Sequence, residues 1–149
     1  MRAAFFSFPW LTRYRAPIIH PPTTSSTGNR IYTAVRESSE LSNYLLFKEP
    51  LVLNFTIRGN KKCNKLTQPL YDYVSEQTTK KINVVDIECD EVGTRELMQR
   101  YVVSDIPCLV VLKDQIPAGR YVDRNLTNDE NSNIDLERLK AFIDLHGLD

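Results

Sequence analysis

Three short, nearly continuous apolar runs divide this chain: Leu51–Phe55, the segment KINVVDIE at Lys81–Glu88, and Cys108–Leu112. Runs of this kind suit strands covered on both faces of a sheet, because successive side chains point to opposite sides and both sides are then apolar. Between the runs the period changes. Leu66, Leu70 and Tyr73/Val74 recur at helical spacing and predict a helix from about Lys62 to Gln77, with a kink at Pro69. Thr94–Tyr101 predicts a second helix with Leu97, Met98 and Tyr101 inward, and Leu136, Leu139, Phe142 and Ile143 predict a terminal one. A short helix capped by Ser38 or Ser39 carries Leu41, Tyr44 and Leu45 on one face and stops at Glu49-Pro50. Gly119–Asp123 reads as an edge strand and Asn125–Asn133 as a polar loop, with Asp129-Glu130 solvated. Strands that alternate with helices and end in a hairpin predict an α/β fold, one mixed central β-sheet flanked by helices on both faces.

A chain of 149 residues with 42% apolar content can bury one core, which predicts one domain. The formal charge is zero, but its signs are segregated. Residues 1–36 hold five arginines and no acid, so 14 basic side chains stand against 19 acidic ones in residues 37–149, a net of about −5. A mildly acidic body does not offer the clustered basic surface that phosphate binding wants, which argues against a nucleic-acid partner. No apolar run is long enough to span a bilayer, so no integral membrane segment is expected.

Residues 1–32 are rich in Arg, Ser, Thr and Pro and mix arginine with Phe, Trp and Leu. That composition matches a mitochondrial presequence. Arg30-Ile31-Tyr32 before Thr33 fits a matrix-protease site with arginine three residues before the cut. The expected organisation is therefore a cleaved targeting segment at 1–32, a single domain at 33–149, and a mitochondrial, matrix location.

Two segments carry a family resemblance. KEPLVLNF leads into TIRGNKKCNKL, and VVDIECDEVGTRELMQRYVVSDIPCLVVLK runs through strand, helix and a proline turn. Over roughly residues 35–146 these resemble the thioredoxin-like family. The resemblance implies a thioredoxin-like fold, a cis peptide bond at Ile106-Pro107, and a turn there whose backbone pairs with an extended substrate segment. Counting forward from Phe55 puts Asn60 in the place of the family's nucleophilic cysteine and Cys63 in that of the resolving one. Counting backward from Pro69 puts Lys61 at the nucleophile position and Cys63 just before the resolving position. Either way the nucleophile is missing, and Asn54 stands where the family has a buried aspartate. A neutral amide cannot serve as that base.

Thiol–disulfide exchange needs an attacking thiolate and a resolving thiol. Only Cys63 lies at the predicted helix start, where the helix dipole and Lys61, Lys62 and Lys65 would favour a thiolate. Cys63 is thus a candidate monothiol, with glutathione as its co-substrate, or else a buried packing residue. Cys108, just after the proline turn, is its candidate disulfide partner, and Cys89 reads as structural. Three scattered cysteines with His20 and His146 lack metal-ligand spacing, so no metal site is expected. The leading expectation is a binding or assembly module. Its surface of Asn60, Lys61, Lys62, Ile106 and Pro107 would take an extended peptide or a mitochondrial protein partner, with the lysines favouring acidic sequences. The alternative is a Cys63-dependent thiol–disulfide oxidoreductase of mitochondrial redox homeostasis.

Overall fold

A computed structural model describes residues 25–149 and, by backbone alone, residues 18–20. The described residues form one six-stranded sheet: β1 (Ile18–His20), β2 (Ile31–Val35), β3 (Leu51–Thr56), β4 (Asn83–Glu88), β5 (Cys108–Lys113) and β6 (Ile116–Tyr121). Their spatial order is β1-β2-β4-β3-β5-β6. β2, β4 and β3 run parallel, whereas β5 and β6 follow as an antiparallel hairpin and β1 pairs antiparallel with β2.

The central strand β3 is buried at every position, Asn54 and Thr56 included, in keeping with its nearly continuous apolar run. Its odd and even residues feed different cores. Leu51, Leu53 and Phe55 pack with Leu41, Tyr44, Leu97 and Tyr101 on one face. Val52 packs with Leu66, Leu70, Val74, Leu139 and Ile143 on the other. The helices on that second face are α1 (Lys61–Asp72), which continues as a π-helical turn at Tyr73–Gln77, and α4 (Leu136–His146). The first face is covered by a 3-10 helix at Ser38–Tyr44 and by α2 (Arg95–Arg100).

Several boundaries differ from the sequence expectation for identifiable reasons. The hairpin turns on Asp114 and Gln115, both with positive φ (51° and 68°), so β6 begins at Ile116 rather than Gly119. Two positive-φ residues between antiparallel strands make a type I′ turn, whose usual sequence signal is a glycine at the second position. The polar stretch after β6 contains a short helix, α3 (Arg124–Asn128), because Asp123 caps it through Asn125 and Leu126 N–H groups. Glu37, not a serine, is the N-cap of the Ser38–Tyr44 helix, in a reciprocal box with Glu40.

The expected presequence lies mostly outside the described residues, but its expected end does not. Ile31 and Tyr32 belong to β2, are 0% and 2% exposed, and sit in register with Val84 and Val85. Upstream, the segment 25–29 straps the C-terminal end of the π turn. Ser25 Oγ donates to the Ser75 carbonyl at 2.9 Å, Thr27 Oγ1 to Val74 at 2.6 Å, and Asn29 Nδ2 to Val74 and Lys80 at 3.0 Å. Helix-end carbonyls lack intrahelical donors, and this strap supplies them. The boundary expected at Thr33 therefore falls inside the folded unit. No helix among the described residues is long and apolar enough to cross a membrane.

Candidate functional site

The loop from β3 into α1 is set by Gly59, whose φ of +77° lies where an L side chain is strained. It turns the chain so that Asn60 becomes the N-cap of α1. Asn60 Oδ1 accepts the Cys63 N–H at 3.0 Å, and Cys63 Sγ in turn accepts the Ile57 N–H at 3.4 Å. The exposed position at the helix start thus carries an amide, and the thiol three residues on is 1% exposed. A reactive thiolate needs access to solvent and to its target. Cys63 has the helix terminus but not the access.

At the same end of the sheet, the chain enters β5 through the Asp105–Pro107 turn, and the Ile106–Pro107 bond is cis. Among the described residues, the Ile106 N–H and C=O have no hydrogen-bond partner. This turn and the segment after β6 enclose a pocket of about 410 Å³ lined by Asp105, Val122, Arg124, Thr127 and Asn128. In the sequence the latter segment reads as solvated loop, and only Asp123 as a potential cap signals otherwise.

Cys108 follows Pro107, lies opposite Phe55 and is 1% exposed. Burial pushes its thiol above the ordinary value, offset in part by Arg120, whose Nη1 lies 3.6 Å from the sulfur. Cys89 also sits at this end, its N–H donating to the Thr56 carbonyl at 2.8 Å. Burial, and then the neighbouring Cys63, push its thiol up to about 12. Cys63 and Cys108 are thus buried and Cys89 half-buried at this end, yet all three are free thiols, and the candidate Cys63–Cys108 bridge is not formed. Among the described residues no group of three or more His, Cys, Asp or Glu side chains is placed to hold a metal ion.

Two of the three clustered lysines are engaged within the chain. Lys61 Nζ donates to Asn131 Oδ1 at 2.7 Å and Lys65 Nζ to the Ser132 carbonyl at 3.0 Å, pinning the 131–132 segment against α1. The other side of the loop is held by Glu88, buried at the end of β4, which pairs with Arg58 at 3.0 Å and Arg36 at 3.3 Å.

Beneath the loop is a polar cluster that sequence reading missed. Asn54 is fully buried, and its Nδ2 donates to Asp86 Oδ1 at 3.0 Å and Thr67 Oγ1 at 2.9 Å. The Tyr71 hydroxyl donates to the other Asp86 oxygen. Burial, and then the Asp86 charge, hold the Tyr71 phenol far above its ordinary value, so it stays a donor. Burial likewise raises the Asp86 carboxyl, against the lowering effect of the Tyr71 and Asn54 hydrogen bonds. Asp86 borders a small pocket of about 120 Å³ that also meets Arg58, Gly59, Asn64 and Thr67. The available signal was an aspartate in the middle of the apolar strand NVVDIE.

No protein-family profile matches the chain, and no curated protein matches it. Solved structures do. The reduced Schistosoma mansoni thioredoxin pre-protein aligns with TM-score 0.60 and 13% identity, over 78% of this chain and 97% of its own. A mutant thioredoxin of Halobacterium salinarum NRC-1 gives 0.59 and 20%, over 78% and 90%. Oxidised thioredoxin O2 of Arabidopsis thaliana gives 0.56 and 17%, over 77% and 92%. The fold is thioredoxin-like. Within that thioredoxin-like frame, the helix start carries Asn60 and the middle of β3 carries Asn54, and neither can act as a nucleophilic thiolate or a carboxylate base.

Proposed function

We propose that this chain is a thioredoxin-like binding or assembly module of the mitochondrial matrix that holds an extended peptide or partner protein without ordinary dithiol chemistry. The observation that carries the reading is Asn60 at the N-cap of α1, with the nearest thiol, Cys63, buried behind it. A fold can keep a recognition surface after its chemistry is gone, because function resides in particular side chains and not in the frame. The recognition surface would be the Ile106 backbone, whose N–H and C=O can pair with a strand. The pocket beside it, at Arg124 and Asn128, would receive a ligand side chain. Lys62 and the amide of Asn60 would border the ligand on the α1 side; Lys61, with one of its three N–H groups tied to Asn131, would add positive charge beside them. The Arg-rich, acid-free leader supports the mitochondrial address.

A peptide library displayed in extended form and selected on the full chain tests this reading. Selected peptides should shift the Ile106 amide resonance, and Lys62→Glu should weaken the acidic ones. Failure to select any peptide that moves Ile106 would remove the binding assignment. The competing enzyme reading requires Cys63 to be uncovered by motion of the Ile57–Asn60 loop, with glutathione closing the cycle. Cys63-dependent turnover would establish it.

A further inference from the structure

On the helical face, well along α1 from Asn60, the C-terminal half of α1 and its π turn stand apart from the beginning of α4 and leave a groove of about 430 Å³. Its floor is apolar: Pro69 and Tyr73 from one wall, Ile134 and Leu136 from the other. The Tyr73 ring is held in place by its hydroxyl, which donates to Asp144 Oδ2 at 2.6 Å. Leu136, the first residue of α4, is 40% exposed to the groove and solvent.

Two ammonium groups border this floor. Lys140 Nζ lies 5.6 Å from the centroid of the Tyr73 ring, and Lys65 reaches over to the Ser132 carbonyl. Neither lysine has a carboxylate within ion-pairing distance among the described residues. The single lining acid, Asp72, accepts from Gln68 one turn back along α1. The groove therefore combines an aromatic wall, aliphatic contacts and two lining lysines against one lining acid, with Asp144 behind the Tyr73 hydroxyl.

We propose that it binds a small organic carboxylate with an aromatic body. The ring would lie against Tyr73, Pro69 and Leu136, where offset or edge-on aromatic contacts are favourable. The carboxylate would sit between the Lys65 and Lys140 ammonium groups, which gain an anionic partner that the described residues do not give them. Mostly apolar lining with a few convergent polar groups is the usual composition of a small-molecule site. This site is separate from the Ile106 turn, so it stands or falls independently of the peptide-binding reading.

The test is an NMR titration of the full chain with 3-phenylpropanoate, beside its neutral analogue 3-phenylpropan-1-ol. The acid should give saturable shifts centred on Tyr73, Ile134 and Leu136, and the alcohol should bind about tenfold more weakly, since it loses the contacts to charged donors. Lys140→Gln should weaken the acid about fivefold, the scale of an exposed ion pair. Leu136→Asp should abolish binding without harming the fold, because an acid in the first turn of a helix is favourable there. No saturable response, equal affinity for acid and alcohol, or shifts centred elsewhere would each overturn the proposal.

Discussion

Asn54 and Asp86 face each other across the parallel strands β3 and β4, joined by an Nδ2–H···Oδ1 hydrogen bond of 3.0 Å. A buried carboxyl thus exists beneath the loop, but on the neighbouring strand from the one where the family resemblance places it. Among the described residues it forms no ion pair; two neutral donors, Asn54 and Tyr71, hold it, with the Arg58 charge acting from further off.

That arrangement makes stability depend on pH. The folded Asp86 carboxyl is raised above its unfolded value of about 3.9, so the folded state binds the extra proton in the intervening range. Its favourable contribution is complete below the unfolded value and is lost as pH rises through the folded one. Asp86→Asn removes this slope. At pH 4 the variant should be less stable than the parent by about 1 kcal/mol, for a weakened hydrogen bond. At pH 8 it should be at least as stable. Thermal unfolding at pH 4, 6 and 8 checks this, and a pH-independent difference would refute it.

Val102 is the C′ residue of α2, with φ of 53° and 74% exposure. Its N–H bonds to Gln99 and the Val103 N–H to Met98, the paired bonds of a Schellman cap, where glycine is the usual occupant. A β-branched residue in the left-handed region costs roughly 1–2 kcal/mol, and little burial is lost on removing it. Val102→Gly should therefore stabilise the chain by about 1 kcal/mol, raising Tm by about 4 °C. An unchanged or lower Tm would contradict the strain argument.

The N-terminal strap makes the folded boundary measurable. A chain starting at Thr33 loses Ile31, Tyr32 and the hydroxyl and amide caps of 25–29. Burial of the two core side chains alone predicts a loss of at least ~3 kcal/mol. A chain starting at Ser25 should retain these contacts, and urea unfolding of both against the full chain would show whether it does. Equal stability of the Thr33 chain would support the boundary read from the sequence.

Why some of this was legible in sequence and some not follows from where the information sits. Leu51–Phe55 and Cys108–Leu112 announce buried strands because every position but Asn54 is apolar, and Leu66, Leu70 and Val74 announce α1 by spacing. The turn at Asp114-Gln115 and the cap at Val102 put Gln115 and Val102 at φ values that their residue types disfavour, so tertiary context overrides the local signal. At the candidate site, the missing nucleophile could be read by counting residues. The burial of Cys63, the engagement of Lys61 by Asn131 and the partnership of Asn54 with Asp86 join segments 6 to 70 residues apart, beyond any local pattern.

The most direct measurement is glutathione-coupled reduction of a mixed-disulfide substrate by the full chain, beside Cys63→Ser and Cys108→Ser. With Asn60 at the helix start and Cys63 buried, all three proteins should show no turnover above the blank. Turnover by the parent that disappears in Cys63→Ser alone would contradict the account and make this a monothiol enzyme.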